Sequence, residues 1–226
     1  MGPKISIVTQ GDEQEPVIRI DGFAPAPERL LDDAAMLSFT PSFAHYPGVR
    51  APASPRLVDA LLAPVRDSIA ATFGVRPELS RREAFYSIVA TPPESLSLIQ
   101  SLPHFDGVER CRLAVLLFLS GVEGSGTAFY QHRSTGFETV SADRLDRFRT
   151  RLAEDLAQQG SPAPGYIAGD TPIYRQIARH AGRFNSALIY RGQTLHCADI
   201  PAGARLSADP AAGRLTLNIF LDADAV

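Results

Sequence analysis

Residues 103–119 read Pro-His-Phe-Asp-Gly-Val-Glu-Arg-Cys-Arg-Leu-Ala-Val-Leu-Leu-Phe-Leu, and this stretch decides how the rest of the chain is read. Its second half, Arg112–Leu119, is almost wholly apolar, the pattern of a strand buried on both faces of a sheet. Its first half carries His104 and Asp106 two residues apart. In extended chain, residues i and i+2 share a face, so an imidazole and a carboxylate aim at one point. Such a pair is two thirds of a 2-His-1-carboxylate triad, the ligand set that holds Fe(II) and leaves positions open. A surface turn with a His–Asp hydrogen bond is the plainer alternative.

Outward from this stretch, Gly121, Gly124 and Gly126 mark a turn, and Thr127–His132 begins another strand. Upstream, Ala84–Ala90 reads as a strand stopped by Pro92-Pro93, and residues 94–103 as a connection or short strand leading to His104. Downstream, Phe184–Tyr190 and Thr194–Cys197 have strand character around a turn at Arg191-Gly192. Ala202–Gly213 is rich in turn residues, and Arg214–Leu221 alternates as a last strand. His196, on the strand before the last, is the third ligand candidate, with a satisfied core histidine as the alternative. Arg214 opens the last strand, where a guanidinium can take a carboxylate bidentately; a salt bridge to Asp209 is the alternative. Thr216 and Asn218 follow on the same face.

The remaining elements support this core. Residues 5–9 and 17–20 read as short strands, 27–37 as a helix and 40–53 as an irregular Pro/Gly loop. Ser54 with Pro55 starts a helix whose stripe is Leu57, Leu61, Val65 and Ile69, ended by Gly74. Residues 141–159 form a second clear helix, capped by Ser141, with Leu145, Phe148, Leu152 and Leu156 buried. Thr171 and Pro172 start a short helix ending near Gly182. The expected fold class is α+β with a mainly β core, an antiparallel barrel or sandwich. The 226 residues suit one domain, with helical support over about 23–75 and a helical insertion over about 141–182.

Composition narrows the partners. A net charge of −3 gives no reason to expect nucleic acid or an anionic membrane surface. No apolar run reaches transmembrane length, and Asp12, Glu13 and Glu15 come too early for a signal peptide. Cys111 and Cys197 are too few for a disulfide framework, so a reducing, cytoplasmic setting is expected. The oligomeric state stays open, a homodimer included.

Several segments together resemble a known family. Pro103-His104-Phe105-Asp106, the run from Gly126 to Glu138, Leu195-His196, and Gly213-Arg214-Leu215-Thr216-Leu217-Asn218 are similar to the 2-oxoglutarate/Fe(II)-dependent dioxygenases of the prolyl-hydroxylase-like type. The nearest resemblance is to the bacterial DUF6445 group, over roughly residues 84–221. The resemblance implies a double-stranded β-helix of the jelly-roll or cupin type. It implies Fe(II) held by His104, Asp106 and His196, with 2-oxoglutarate as co-substrate and Arg214 and Thr216 as its contacts. The reaction class it implies is hydroxylation or a related oxidation of a small molecule or peptide. The separation from 196 to 214 is longer than that superfamily usually shows, which makes Ala202–Gly213 an enlarged turn.

Competing assignments stay in view. Tyr86 is a candidate hydrogen-bond donor to the co-substrate, with a core tyrosine as the alternative. His132 is a rival ligand or substrate contact. His45, in the loop, and His180, at a helix end, read as structural. A cupin-like binding protein without turnover is the second functional hypothesis.

Overall fold

The computed structural model describes residues 2–42, 45–120, 122 and 124–225, with residues 77–82 described as backbone. Elements follow in the order β1 (Lys4–Gln10), β2 (Glu15–Asp21), α1 (Pro27–Ala35), β3 (Thr40–Pro41), β4 (Gly48–Pro52), α2 (Pro55–Leu62), α3 (Arg66–Phe73) and β5 (Val75–Val89). Then come β6 (Arg112–Phe118), β7 (Gly126–His132), α4 (Leu145–Gln159), β8 (Tyr174–Ala181), β9 (Ser186–Arg191), β10 (His196–Asp199) and β11 (Arg214–Ala225). The architecture is mainly β, as expected, and the strand pairings are antiparallel. An eight-stranded sheet runs β1-β2-β9-β6-β11-β5-β4-β3, and a three-stranded sheet runs β10-β7-β8.

Alternation along the central strands builds the layers. On β6 and β11, Leu113, Val115, Leu117, Leu215, Leu217, Ile219 and Leu221 pack outward against Leu30, Leu61, Ile69 and Phe73 of the N-terminal helices. Full burial of such side chains stabilises by roughly 1.5–3 kcal/mol each. The opposite face presents Ala114, Leu116, Phe118, Leu188 and Tyr190 to Phe129 of the small sheet. Beyond the small sheet, Ala128, Tyr130 and Tyr174 meet Phe148 of α4. Three cores therefore separate four layers, and the run at 112–119 is buried on both faces because it lies inside the stack.

Several expectations change. Residues 40–53 are not wholly irregular: Gly48–Pro52 is a strand paired with β5, and Pro52 terminates it. Phe43 and Ala44 of that loop, and Gly121 of the expected glycine turn, lie outside the described residues. Residues 174–181 are a strand paired with β7 rather than a helix, so the helical insertion contracts to Leu145–Gln159. The connection at 94–103 holds two short 3-10 turns, Pro93–Ser95 and Leu98–Ser101. Local caps also differ. Ser54 sits at the N-cap of α2 without a side-chain cap bond, and α4 begins after Arg144, not Ser141. The long helix expected from Ser54 to Gly74 is broken by a 3-10 turn at Ala63–Val65, where Pro64 lacks the N–H a continuous helix needs. Gly74 ends α3 in the left-handed region, φ 62°, which suits a residue without Cβ.

The β1–β2 hairpin is tied to the small sheet. Its turn donates the backbone N–H groups of Asp12 and Glu13 to the buried Glu138 carboxylate, at 2.9 and 3.0 Å. Arg175 on β8 reaches Asp12 at 2.6 Å, and Arg144 reaches Glu13 at 2.5 Å.

Candidate metal centre

His104 lies on an extended segment, not a full strand, and is fixed by one bridge to β10. The His104 N–H donates to the His196 carbonyl at 2.8 Å, and the His196 N–H returns the bond to the His104 carbonyl at 2.8 Å. The two chains are thus clamped where both imidazoles leave the backbone, and the ring centroids stand 4.4 Å apart. The Asp106 N–H donates to the Gly192 carbonyl at 2.6 Å. Phe105 turns the other way, packing edge-on against Phe148 at 6.0 Å. His104 and Asp106 thus share one face of the extended segment, as residues i and i+2 do.

The three side chains converge. One ligand atom each from His104, Asp106 and His196 lies within 4.8 Å of the other two. Asp106 Oδ2 is 3.5 Å from His196 Nε2, and Asp106 Oδ1 is 4.0 Å from His104 Nε2. The His196 Nδ1 lies 2.8 Å from the Thr194 carbonyl. A carbonyl oxygen only accepts, so Nδ1 carries a proton, which leaves Nε2 as the nitrogen facing the site. Burial, and then the His196 imidazole, hold His104 well below the ordinary histidine value, which keeps it a neutral donor. Burial raises the Asp106 carboxyl, opposed by His196, Arg50 and Arg112. Tyr190 and Phe129 wall the His196 ring at 4.8 and 6.1 Å.

A cavity of about 70 Å³ opens beside these residues, lined among others by Arg50, Thr127, Tyr190, Arg214 and Asn218. Arg214 is 3% exposed. Its Nη2 donates to the Gly126 carbonyl at 2.7 Å, and its guanidinium lies 5.5 Å from the centre of the Phe118 ring. Its Nε has no partner although buried. Among the described residues no carboxylate stands within 4.0 Å of it, so the alternative of an Asp209 bridge does not hold. A buried cation with an open N–H is suited to an incoming carboxylate. Thr216 is buried on the same face and donates to Asn218 Oδ1 at 2.7 Å. A second cavity of about 230 Å³ lies beyond, and both are lined by Tyr166 and Ile167.

Other candidates fall elsewhere. Tyr86 is 1% exposed in the core between the large sheet and the helices, opposite Leu217 in register. As a co-substrate contact it is corrected: it faces away from the cavity. His132 packs between Phe148 and Tyr174 at 5.1 and 5.4 Å, on the α4 side of β7, remote from the triad. Its Nδ1 meets Thr135 Oγ1 at 2.9 Å, and Asp155 lies 3.1 Å from Nε2 outside hydrogen-bond geometry. His180 is on β8, not at a helix end, and meets Gln10 at 3.0 Å. His45, read as structural, lines the cavity. Arg50 and Tyr46 line it too and escaped the sequence reading, hidden in a stretch classed as loop by its Pro and Gly content.

The sequence matches the model of a family of unknown function, DUF6445, over residues 1–221. The chain belongs to the DUF6445 family. Among solved structures it resembles HygX from Streptomyces hygroscopicus, determined with nickel and 2-oxoglutarate bound. The TM-score is 0.50 at 16% identity, covering 93% of this chain and 84% of that one. It also resembles SnoN, the non-heme alpha-ketoglutarate-dependent epimerase from nogalamycin biosynthesis. There the TM-score is 0.51 at 13% identity, covering 93% of this chain and 80% of that one. At these identities the likeness shows a shared fold. No curated protein matches the sequence significantly. Among the described residues of this DUF6445 member, no helix is long and apolar enough to cross a membrane.

Proposed function

We propose that this protein is an Fe(II)- and 2-oxoglutarate-dependent dioxygenase that hydroxylates or otherwise oxidises a small organic or peptide substrate. The observation that carries the reading is the convergence of His104, Asp106 and His196 within 4.8 Å beside a buried arginine whose Nε has no partner among the described residues. Two imidazoles and one carboxylate suit a ferrous ion and leave coordination positions open. When bound, the ion would activate dioxygen, which is the oxidant: 2-oxoglutarate would supply two electrons as it decarboxylates to succinate, and the substrate two more as it takes up one oxygen atom. In this reading Arg214 takes the distal carboxylate of 2-oxoglutarate through its free Nε, and Thr216 supports that end through Asn218. Tyr190 and Phe129 exclude water from one side of the His196 ring.

The fold assigned here is a double-stranded β-helix, supported by two antiparallel sheets that face each other across Phe129 and Tyr190. The setting assigned is the cytoplasm, where Cys111 and Cys197, free in this structure, stay reduced. Anaerobic addition of Fe(II) and then 2-oxoglutarate tests the site by its weak visible charge-transfer absorption. A full-strength band in His104→Ala overturns the ligand assignment. Succinate formation above the free-iron background separates an oxygenase from a cupin-like binder without turnover.

A further inference from the structure

We infer that Arg50 binds a carboxylate carried by the substrate, so that the site acts on a small carboxylic acid. The inference rests on the proposed function and extends it to the substrate's chemical class. Arg50 is on β4, in register with Ser87 on β5, which is in turn in register with Thr216 on β11. It lines the same cavity as the triad, and its charge is felt at both His104 and Asp106.

The surroundings of this guanidinium supply packing but, among the described residues, no counter-ion. The Tyr46 ring lies 4.1 Å beneath it and Phe85 5.6 Å away, so it is oriented by ring faces that take none of its N–H groups. Its Nε is buried without a partner. Among the described residues, no carboxylate approaches within 4.0 Å. A cation partly withdrawn from water and left unpaired is costly unless an anion joins it.

Charge balance points the same way. The cavity lining holds two guanidiniums, Arg50 and Arg214, and one carboxylate, Asp106. A ferrous ion and 2-oxoglutarate cancel each other's formal charge, so one positive charge remains in excess in the loaded site. Arg214 is the more deeply buried and serves the co-substrate. Arg50 is left for the second ligand, and a planar guanidinium favours a carboxylate.

The test uses the whole protein loaded with nickel, which blocks turnover, and saturating 2-oxoglutarate. Acetate and, separately, acetamide are titrated at ionic strength held constant with chloride, and the thermal midpoint is followed. Acetate raises the midpoint of the wild type and acetamide does not. Arg50→Gln loses the acetate response yet binds 2-oxoglutarate within about threefold of wild type by calorimetry, under ~1 kcal/mol. Arg50→Lys, which keeps the charge but not the fork, responds in between and serves if the glutamine variant unfolds. An acetate response equal in wild type and Arg50→Gln, or absent from wild type, overturns the inference. So does an Arg50→Gln loss of 2-oxoglutarate as heavy as that of Arg214→Gln. Failure of the nickel-loaded wild type to bind 2-oxoglutarate instead overturns the proposed function itself.

Discussion

The Nδ1 of His196 lies 2.8 Å from the carbonyl oxygen of Thr194, two residues back on its own chain. This contact selects the tautomer and aims the ring, so the ligand nitrogen is set before any ion arrives. The paired backbone bonds to His104 fix the point at which the other imidazole leaves its chain. Outer partners of metal ligands are typically worth about 10–100-fold in affinity. Loss of a ligand exceeds that, so His104→Ala and His196→Ala each weaken Ni(II) binding by more than ~100-fold. Calorimetry under anaerobic conditions reads this, with circular dichroism to verify folding. Unchanged affinity in either variant removes that residue from the centre.

Arg214 yields a two-sided expectation. Truncating one partner of a buried, hydrogen-bonded charge pair costs about 2–5 kcal/mol of binding. Arg214→Met therefore weakens 2-oxoglutarate binding to the nickel-loaded protein by roughly 30-fold or more and leaves nickel affinity intact. The same variant raises the thermal midpoint of the ligand-free protein, because it removes a buried charge with an unpartnered Nε. A lower midpoint means that the Gly126 and Phe118 contacts outweigh the desolvation of the charge.

Tyr86 and the cavity are separated by the sheet itself. Its buried hydroxyl has no partner among the described residues, and burial pushes the phenol up to about 12. Tyr86→Phe removes an unsatisfied buried group, with stability unchanged or raised by up to ~1 kcal/mol. Binding of 2-oxoglutarate stays at the wild-type level. A marked loss of 2-oxoglutarate affinity returns Tyr86 to the site.

His132 connects stability to pH. Burial lowers its imidazole below the ordinary value of 6.5, with Asp155 opposing. Between the folded and unfolded values the unfolded chain binds more protons, so this contribution is present above pH 6.5 and fades as pH falls. Ligand-free wild type should lose thermal stability between pH 7.5 and 5.5, and His132→Gln should lose less. An equal acid response in both proteins assigns the effect to other groups, such as His180, which is shifted in the same direction.

Much of the site was legible because its pattern is local. His104 and Asp106 share a face over three residues, and Arg214, Thr216 and Asn218 share one over five. What failed depended on distant pairing. Residues 173–181 place Ile173, Tyr174, Ile177, Ala178 and Ala181 at helical spacing behind Pro172. Pairing with β7, with a register shift at Phe129/Tyr130, holds them extended instead. Tyr86 was ambiguous for another reason. Its strand carries buried residues on both faces, so alternation fixes which residues are opposite each other but not which side holds the site. Arg50 was lost because a two-residue partner strand and a neighbour far along the chain make β4 a strand, and neither is visible in a Pro/Gly-rich window.

The N-terminal hairpin has a role that its position, far in sequence from every proposed ligand, conceals. Its strand β2 extends the large sheet beside β9, while its turn is gripped by Glu138 and by Arg175 of the small sheet. It therefore works as a brace between two walls, the large sheet and the small one, both of which line the cavity beside the triad. Cutting away residues 1–21 would let those walls part at one end. Metal affinity would fall with every ligand side chain still in the chain.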